Sequence, residues 1–152
     1  MEFELSIIIP SYNEMKTIPQ ILKKLDSLSF ARKMEVIVVD DGSDDGTYDY
    51  LSAISDKFSY KLFVIKHSEN LGKGAAVRTA ISYSNGRYLI IQDADLEYDP
   101  ENINEIYEKL TSSGCDVVFG SRLIRANKVY SRAYLFGNKF ITAMINLLFG
   151  SS

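Results

Sequence analysis

Short apolar runs alternate along this chain with stretches whose apolar residues recur every three or four positions. Leu5–Ile9, Val36–Val39, Leu62–Ile65, Tyr88–Ile91 and Val117–Phe119 are runs rich in β-branched and aromatic residues, and they predict five buried strands. Pro10 is expected to stop the first of them. Ile18, Ile21, Leu22, Leu25 and Leu28 keep helical spacing. Thr17 and Gln20 fit a capping box before them, and Pro19 suits the first turn, where a missing N–H is harmless. Leu51, Ile54 and Phe58 mark a second helix, and Val77, Ala80 and Ile81 one face of a third. Ile103, Ile106, Tyr107 and Leu110 mark a fourth, capped by Asp99, begun by Pro100 and ended by Gly114. Asp41-Gly42-Ser43, Asp45-Gly46 and Asn85-Gly86 have turn chemistry.

Strands alternating with helices imply an α/β fold: a mostly parallel, Rossmann-like central sheet with helices on both faces and right-handed crossovers. No repeat interrupts the pattern and no linker comes before Ser121. Residues 1–120 are therefore expected to be a core domain and 121–152 the start of a second region. Within that region Tyr134–Phe149 reads as an amphipathic or wholly apolar helix. At 1.5 Å per residue it would be about 24 Å long. The hydrocarbon core of a bilayer is about 30 Å thick, so this helix suits a membrane surface rather than a crossing.

Charge changes the picture more than composition does. The 152 residues carry a formal charge of −3, which excludes a generally basic nucleic-acid coat. Every acid lies in residues 1–120, whereas residues 121–152 hold Arg122, Arg125, Lys128, Arg132 and Lys139 among aromatics. Such an end suits an anionic partner, or else packs its apolar side on the domain and solvates its charges. The single cysteine, Cys115, excludes an internal disulfide framework and a cysteine-rich zinc site, and is expected in the core. The single histidine, His67, is expected to be structural. Met1–Glu4 lacks the basic start of a signal peptide, so a cytoplasmic location is expected.

In a parallel sheet, ligands bind beyond the carboxyl ends of the strands. Asp93, Asp95 and Glu97 follow the fourth strand, and in extended chain they would share one face. Three converging carboxylates repel unless a cation sits among them, and oxygen donors suit Mg²⁺ or Mn²⁺; the other reading is a helix cap or a solvated loop. Asp41, after the second strand, could accept hydrogen bonds from a ribose or base, or could form an Asx-turn into Gly42. Tyr12 could stack on a base or be a surface aromatic. Lys73, between Gly72 and Gly74, could approach a diphosphate. The first strand–helix turn has no glycine, which excludes a dinucleotide-binding fingerprint, and no P-loop is present.

Six segments together resemble one family. They are Pro10-Ser11-Tyr12-Asn13-Glu14, Val38-Val39-Asp40-Asp41-Gly42-Ser43, Asp45-Gly46-Thr47, Asn70-x-Gly72-Lys73-Gly74, Gln92-Asp93-Ala94-Asp95-Leu96 and Gly120-Ser121-Arg122. In this order and spacing they are similar to the family 2 glycosyltransferases of GT-A fold, nearest to dolichyl-phosphate mannose synthase and bacterial polyprenyl-phosphate glycosyltransferases. The resemblance implies nucleotide-sugar contacts at Pro10, Tyr12, Glu14, Val39, Asp41, Asp93 and Ala94, with Lys73 beside the phosphates. It implies a D-x-D at Asp93 and Asp95 for the divalent ion, Mg²⁺ or Mn²⁺; Glu97 stands where close relatives often have glutamine and adds a negative charge beside that ion. It places Arg122 toward the phosphates, as a catalytic residue with Asp93 and Asp95, and Arg132 with Arg122 toward an acceptor phosphate. Family members usually continue through further acceptor-side segments and often into membrane helices, so an amino-terminal catalytic-core fragment is expected.

The activity so implied is metal-dependent, inverting transfer of a sugar from GDP-mannose or a UDP-sugar to a polyprenyl or dolichyl phosphate, at the cytoplasmic face of a membrane. The competing expectations are transfer to a sugar hydroxyl, which needs a general base, and a nucleotide-binding module without catalysis.

Overall fold

The computed structural model describes residues 3–120. Four strands, β1 (Phe3–Ser11), β2 (Met34–Asp40), β3 (Lys61–Lys66) and β4 (Gly86–Ile91), form one parallel sheet in the order β3-β2-β1-β4. They alternate with α1 (Ile18–Asp26), α2 (Thr47–Ile54), α3 (Lys73–Tyr83) and α4 (Ile103–Ser113). The chain divides into two units, Met1–Cys115 and Asp116–Ser152, and all eight elements lie in the first. Among the described residues no helix is long and apolar enough to cross a membrane.

The two-residue period of β1 sorts its side chains between two cores. Leu5, Ile7 and Ile9 join Ile18, Ile21, Leu22 and Leu25 of α1, Leu51 and Ile54 of α2 and Ile103 of α4. On the opposite face Ile8 joins Ile37, Val39, Ala76 and Ala80, so among the described residues α3 is the helix that covers that side. The buried face of α3 is Ala76 and Ala80 rather than the expected set with Ile81, which is 47% exposed. Small residues let this helix lie close on β1 and β2, and the larger Ile81 points outward.

Four other expectations are corrected. β1 runs through Pro10 to Ser11, with Pro10 opposite Val39. Gln92 N–H donates to the Ile8 carbonyl and Asp41 N–H to the Ser11 carbonyl, so even-numbered positions of β1 face β4 and odd-numbered ones face β2. Pro10 thus lacks its N–H on the β4 side, where pairing has already ended at Ile8. The Thr17 capping box does not form; the Thr17 hydroxyl turns back to the Glu14 carboxylate at 2.6 Å, a charge-assisted bond that outcompetes the backbone cap. Val117–Phe119 is not a strand: a strand exists through its pairing, and the sheet holds four strands among the described residues. Cys115, expected in the core, is exposed just after the left-handed Gly114 that ends α4.

The amino end of β4 is held by a buried polar set. Ser6 Oγ donates to Glu35 Oε1 at 2.6 Å, and Gly86 N–H donates to Ser6 Oγ at 2.8 Å. A Cβ on Gly86 would stand 2.5 Å from Ser6 N, so only glycine allows this approach.

Core and edge differ enough to test. Ile7 is fully buried, and Ile91 is 51% exposed. In urea unfolding, Ile7→Ala is expected to lower stability by about 2–5 kcal/mol, and Ile91→Ala by under about 1 kcal/mol.

Candidate functional site

The carboxyl ends of the strands open into a cleft of about 300 Å³. Pro10, Tyr12 and Glu14 reach it from the end of β1, Asp41 from the end of β2, Lys73 from the start of α3, and Asp93, Ala94 and Asp95 from the end of β4. Four segments far apart in sequence meet here because parallel strands all deliver their exits to one side. Ser11, Asn70 and Ala76 complete the lining. Val39 does not line the cleft; it is fully buried under α3, since neighbouring residues of a strand face opposite sides. Arg122 and Arg132 lie outside the described residues.

Two loops forming the near wall are laced together. Ser43 Oγ accepts from Asn13 N–H at 2.9 Å, and Asn13 Oδ1 accepts from Asp44 N–H at 3.0 Å. Asp45 accepts from the backbone N–H of Met15 and of Thr47, each at 3.0 Å. Asn13 takes a φ of 56°, the left-handed conformation that asparagine tolerates. This lacing fixes the backbone on either side of Tyr12, which stays 47% exposed at the rim.

Asp41 is the most constrained side chain of the cleft. Its carboxylate accepts from Leu71 N–H at 3.0 Å, from Gly72 N–H at 2.8 Å, and from the His67 ring at 2.6 Å. Burial alone would raise its pKa. The hydrogen bonds from His67, Leu71 and Gly72 outweigh that and hold it below the usual carboxylate value. Asp41 makes no such bond to its own turn; Asp40 does, its Oδ2 accepting from Ser43 N–H three residues on at 3.1 Å. Gly42 sits so close to the 69–70 backbone that a Cβ there would come within 2.6 Å of Glu69 C. The loop that carries Asn70 and Lys73 is therefore strapped to the end of β2.

The acidic segment departs from extended chain. Residues 94–98 form a turn and bend, with Leu96 at a φ of 62°. Asp93 and Asp95 line the cleft, but Glu97 does not, and its N–H donates to Asp95 Oδ1 at 2.9 Å. The same-face rule that grouped three acids holds only for a strand, and the left-handed Leu96 breaks it. Among the described residues no three or more His, Cys, Asp or Glu side chains gather as a metal site. The remaining pair of carboxylates still fits Mg²⁺ or Mn²⁺, which bind through one or two carboxylates and complete their shells with water and phosphate oxygens. Asp93 Oδ1 is held by Lys73 Nζ at 2.6 Å. Gln92, which sequence reasoning missed, is buried and donates to the carbonyls of Asp93 and Tyr98, setting the turn.

Asp41 makes a measurable contribution to stability. A carboxylate with a depressed native pKa stabilises the fold above its unfolded pKa, and that stabilisation is lost as the pH falls through the native value. Asp41→Asn is expected to lower unfolding free energy by about 1–3 kcal/mol at pH 7, with the gap to wild type closing below about pH 4. Urea titrations from pH 7 to pH 3 measure it.

Residues 6–148 match the family described as glycosyl transferase family 2. The chain is 32% identical over 126 residues to a dolichol-phosphate mannosyltransferase of Pyrococcus furiosus, covering 83% of this chain and 35% of that protein. It is 32% identical over 129 residues to an undecaprenyl-phosphate 4-deoxy-4-formamido-L-arabinose transferase of Pseudomonas aeruginosa, covering 84% and 38%. It thus spans just over a third of the length of these two curated relatives. The fold superposes on the mannosyltransferase PcManGT from Pyrobaculum calidifontis in complex with GDP-Man and Mn²⁺, with a TM-score of 0.65 and 28% identity over 70% of this chain and 32% of that one. It also superposes on TarS 1-349 of S. aureus in complex with UDP-GlcNAc, with a TM-score of 0.63 and 26% identity over 72% of this chain and 31% of that one. The parallel α/β sheet is that of the GT-A glycosyltransferases, and the chain belongs to glycosyl transferase family 2.

Proposed function

We propose that this chain is the donor-binding part of an enzyme that transfers a sugar from a nucleotide-sugar to a polyprenyl phosphate. One observation carries the reading: a single cleft brings a buried, held carboxylate (Asp41), a lysine (Lys73) and two further carboxylates (Asp93 and Asp95) to one rim of a family 2 fold. The names of the two curated relatives, both transferases of polyprenyl-type phosphates, support the acceptor class.

In this reading the nucleoside lies toward Asp41 and Tyr12, and the diphosphate toward Lys73, Asp93 and Asp95. A divalent ion held by Asp93 and Asp95 would offset the charge that grows on the departing nucleoside diphosphate. Lys73 leaves Asp93 for the diphosphate; its side chain is 63% exposed, and an exposed pair of this kind is worth only about 0–1 kcal/mol, so the exchange is easy. Tyr12 offers a ring face to the base. The acceptor phosphate is already anionic at neutral pH, so the chain need only position it, and no side chain has to remove a proton. Attack opposite the leaving group inverts the sugar carbon. Arg122 and Arg132 are assigned to the acceptor phosphate, and the acid-free stretch 121–152 to a membrane surface.

Calorimetry with UDP and GDP, with and without Mn²⁺, tests the donor half. Mn²⁺-dependent binding of one of them is expected, weakened at least about tenfold by Asp95→Asn. Binding indifferent to both the ion and the substitution contradicts the reading. Sugar incorporation into polyprenyl phosphate, against soluble sugars as acceptors, tests the other half.

A further inference from the structure

His67 is the one group of this network that the proposed chemistry leaves without a part. It follows β3 directly, and its N–H donates to the Asp40 carbonyl at 2.8 Å, which extends the β2–β3 ladder by one residue and fixes where the ring starts. The ring then bridges two elements. Nδ1 lies 2.6 Å from Asp41 Oδ1, and Nε2 lies 3.0 Å from Thr79 Oγ1 on α3. Its side chain is 10% exposed and that of Asp41 4%. His67 does not line the cleft, so whatever it does for a ligand it does through Asp41.

An ionised carboxylate offers about four acceptor positions. On Asp41, Oδ1 takes two donors, from His67 and Leu71, and Oδ2 takes one, from Gly72. One position on Oδ2 is left. We propose that His67 is a positioning residue of the donor site: by binding Asp41 Oδ1 through Nδ1 it locks the carboxylate so that a single acceptor on Oδ2 remains for one N–H or O–H of the nucleoside. Without that bond, Oδ1 keeps only the Leu71 N–H, and a buried carboxylate short of donors rotates toward other partners or takes up a proton. Either change removes the acceptor from its place. Thr79 completes the device by pinning the far side of the ring, which sets its plane.

This inference rests on the donor-site reading and deepens it, and its test separates the two. The amide nitrogen of asparagine falls near the place of Nδ1 and that of glutamine near the place of Nε2. His67→Asn therefore keeps the donor to Asp41, and His67→Gln offers its donor toward Thr79. Affinities for UDP and GDP are measured by calorimetry with Mn²⁺ on the full chain, beside affinity for inorganic pyrophosphate and the thermal midpoint. For whichever nucleotide the wild type binds, His67→Gln is expected to weaken binding about tenfold and His67→Asn by no more than about threefold. Pyrophosphate, which lacks a nucleoside, is expected to bind all three proteins alike. A merely structural histidine would give two variants that differ only as their thermal midpoints differ. Equal nucleotide affinity in the two variants overturns the inference and leaves the donor site standing, as does a loss that pyrophosphate shares. A folded wild type that binds neither UDP nor GDP overturns both.

Discussion

The site depends on keeping one carboxylate ionised where water is scarce. Asp41 stands at the end of β2, and three donors from residues 67, 71 and 72 meet it there. A buried charge without partners would be far too costly, so the chain between β3 and α3 has to close over β2 for the fold to exist in this form. That closure brings Asn70 and Lys73 to the cleft and starts α3 at the right place. The hydrogen bonds that stabilise the domain and those that shape the cleft are the same bonds.

Parallel topology does the rest. Because all four strands run one way, their exits share a side, and each exit brings a different chemistry. The laced loops after β1 and β2 supply rigid backbone around an exposed aromatic. The turn after β4 supplies two carboxylates, one already paired with a lysine. The lining carries Glu14, Asp41, Asp93 and Asp95 against a single lysine, Lys73, so the cleft is acidic. On the proposed reading, a hard cation at Asp93 and Asp95 and the release of Lys73 would make it complementary to a diphosphate. Solved structures of similar fold hold GDP-Man with Mn²⁺ in one case and UDP-GlcNAc in another, so the fold accepts both purine and pyrimidine nucleotides.

Much of this was legible in the sequence, for identifiable reasons. The strands β1 to β4 were visible because buried parallel strands need unbroken apolar runs, and the residues after them pointed at the cleft. Pro10 misled because its effect depends on which neighbour has already ended, a tertiary fact. Glu97 misled because alternation was carried past the end of the strand, into a turn bent by a left-handed leucine that no composition rule marks. Val39 was implied by family likeness, while its place in the strand buries it under α3. The two bonds of His67 are not legible in the sequence because a lone histidine carries no pattern; its partners lie 26 and 12 residues away. A polar, titratable residue at the end of a strand, beside the exit that carries Asp41, was the available signal.

The most direct measurement is a crystal structure of the chain with a nucleoside diphosphate and Mn²⁺, located by anomalous scattering. The expected result is a manganese peak at Asp93 and Asp95, the diphosphate against it and Lys73, and the nucleoside on Asp41. A nucleotide seated elsewhere, or manganese away from both carboxylates, would contradict a donor site in this cleft.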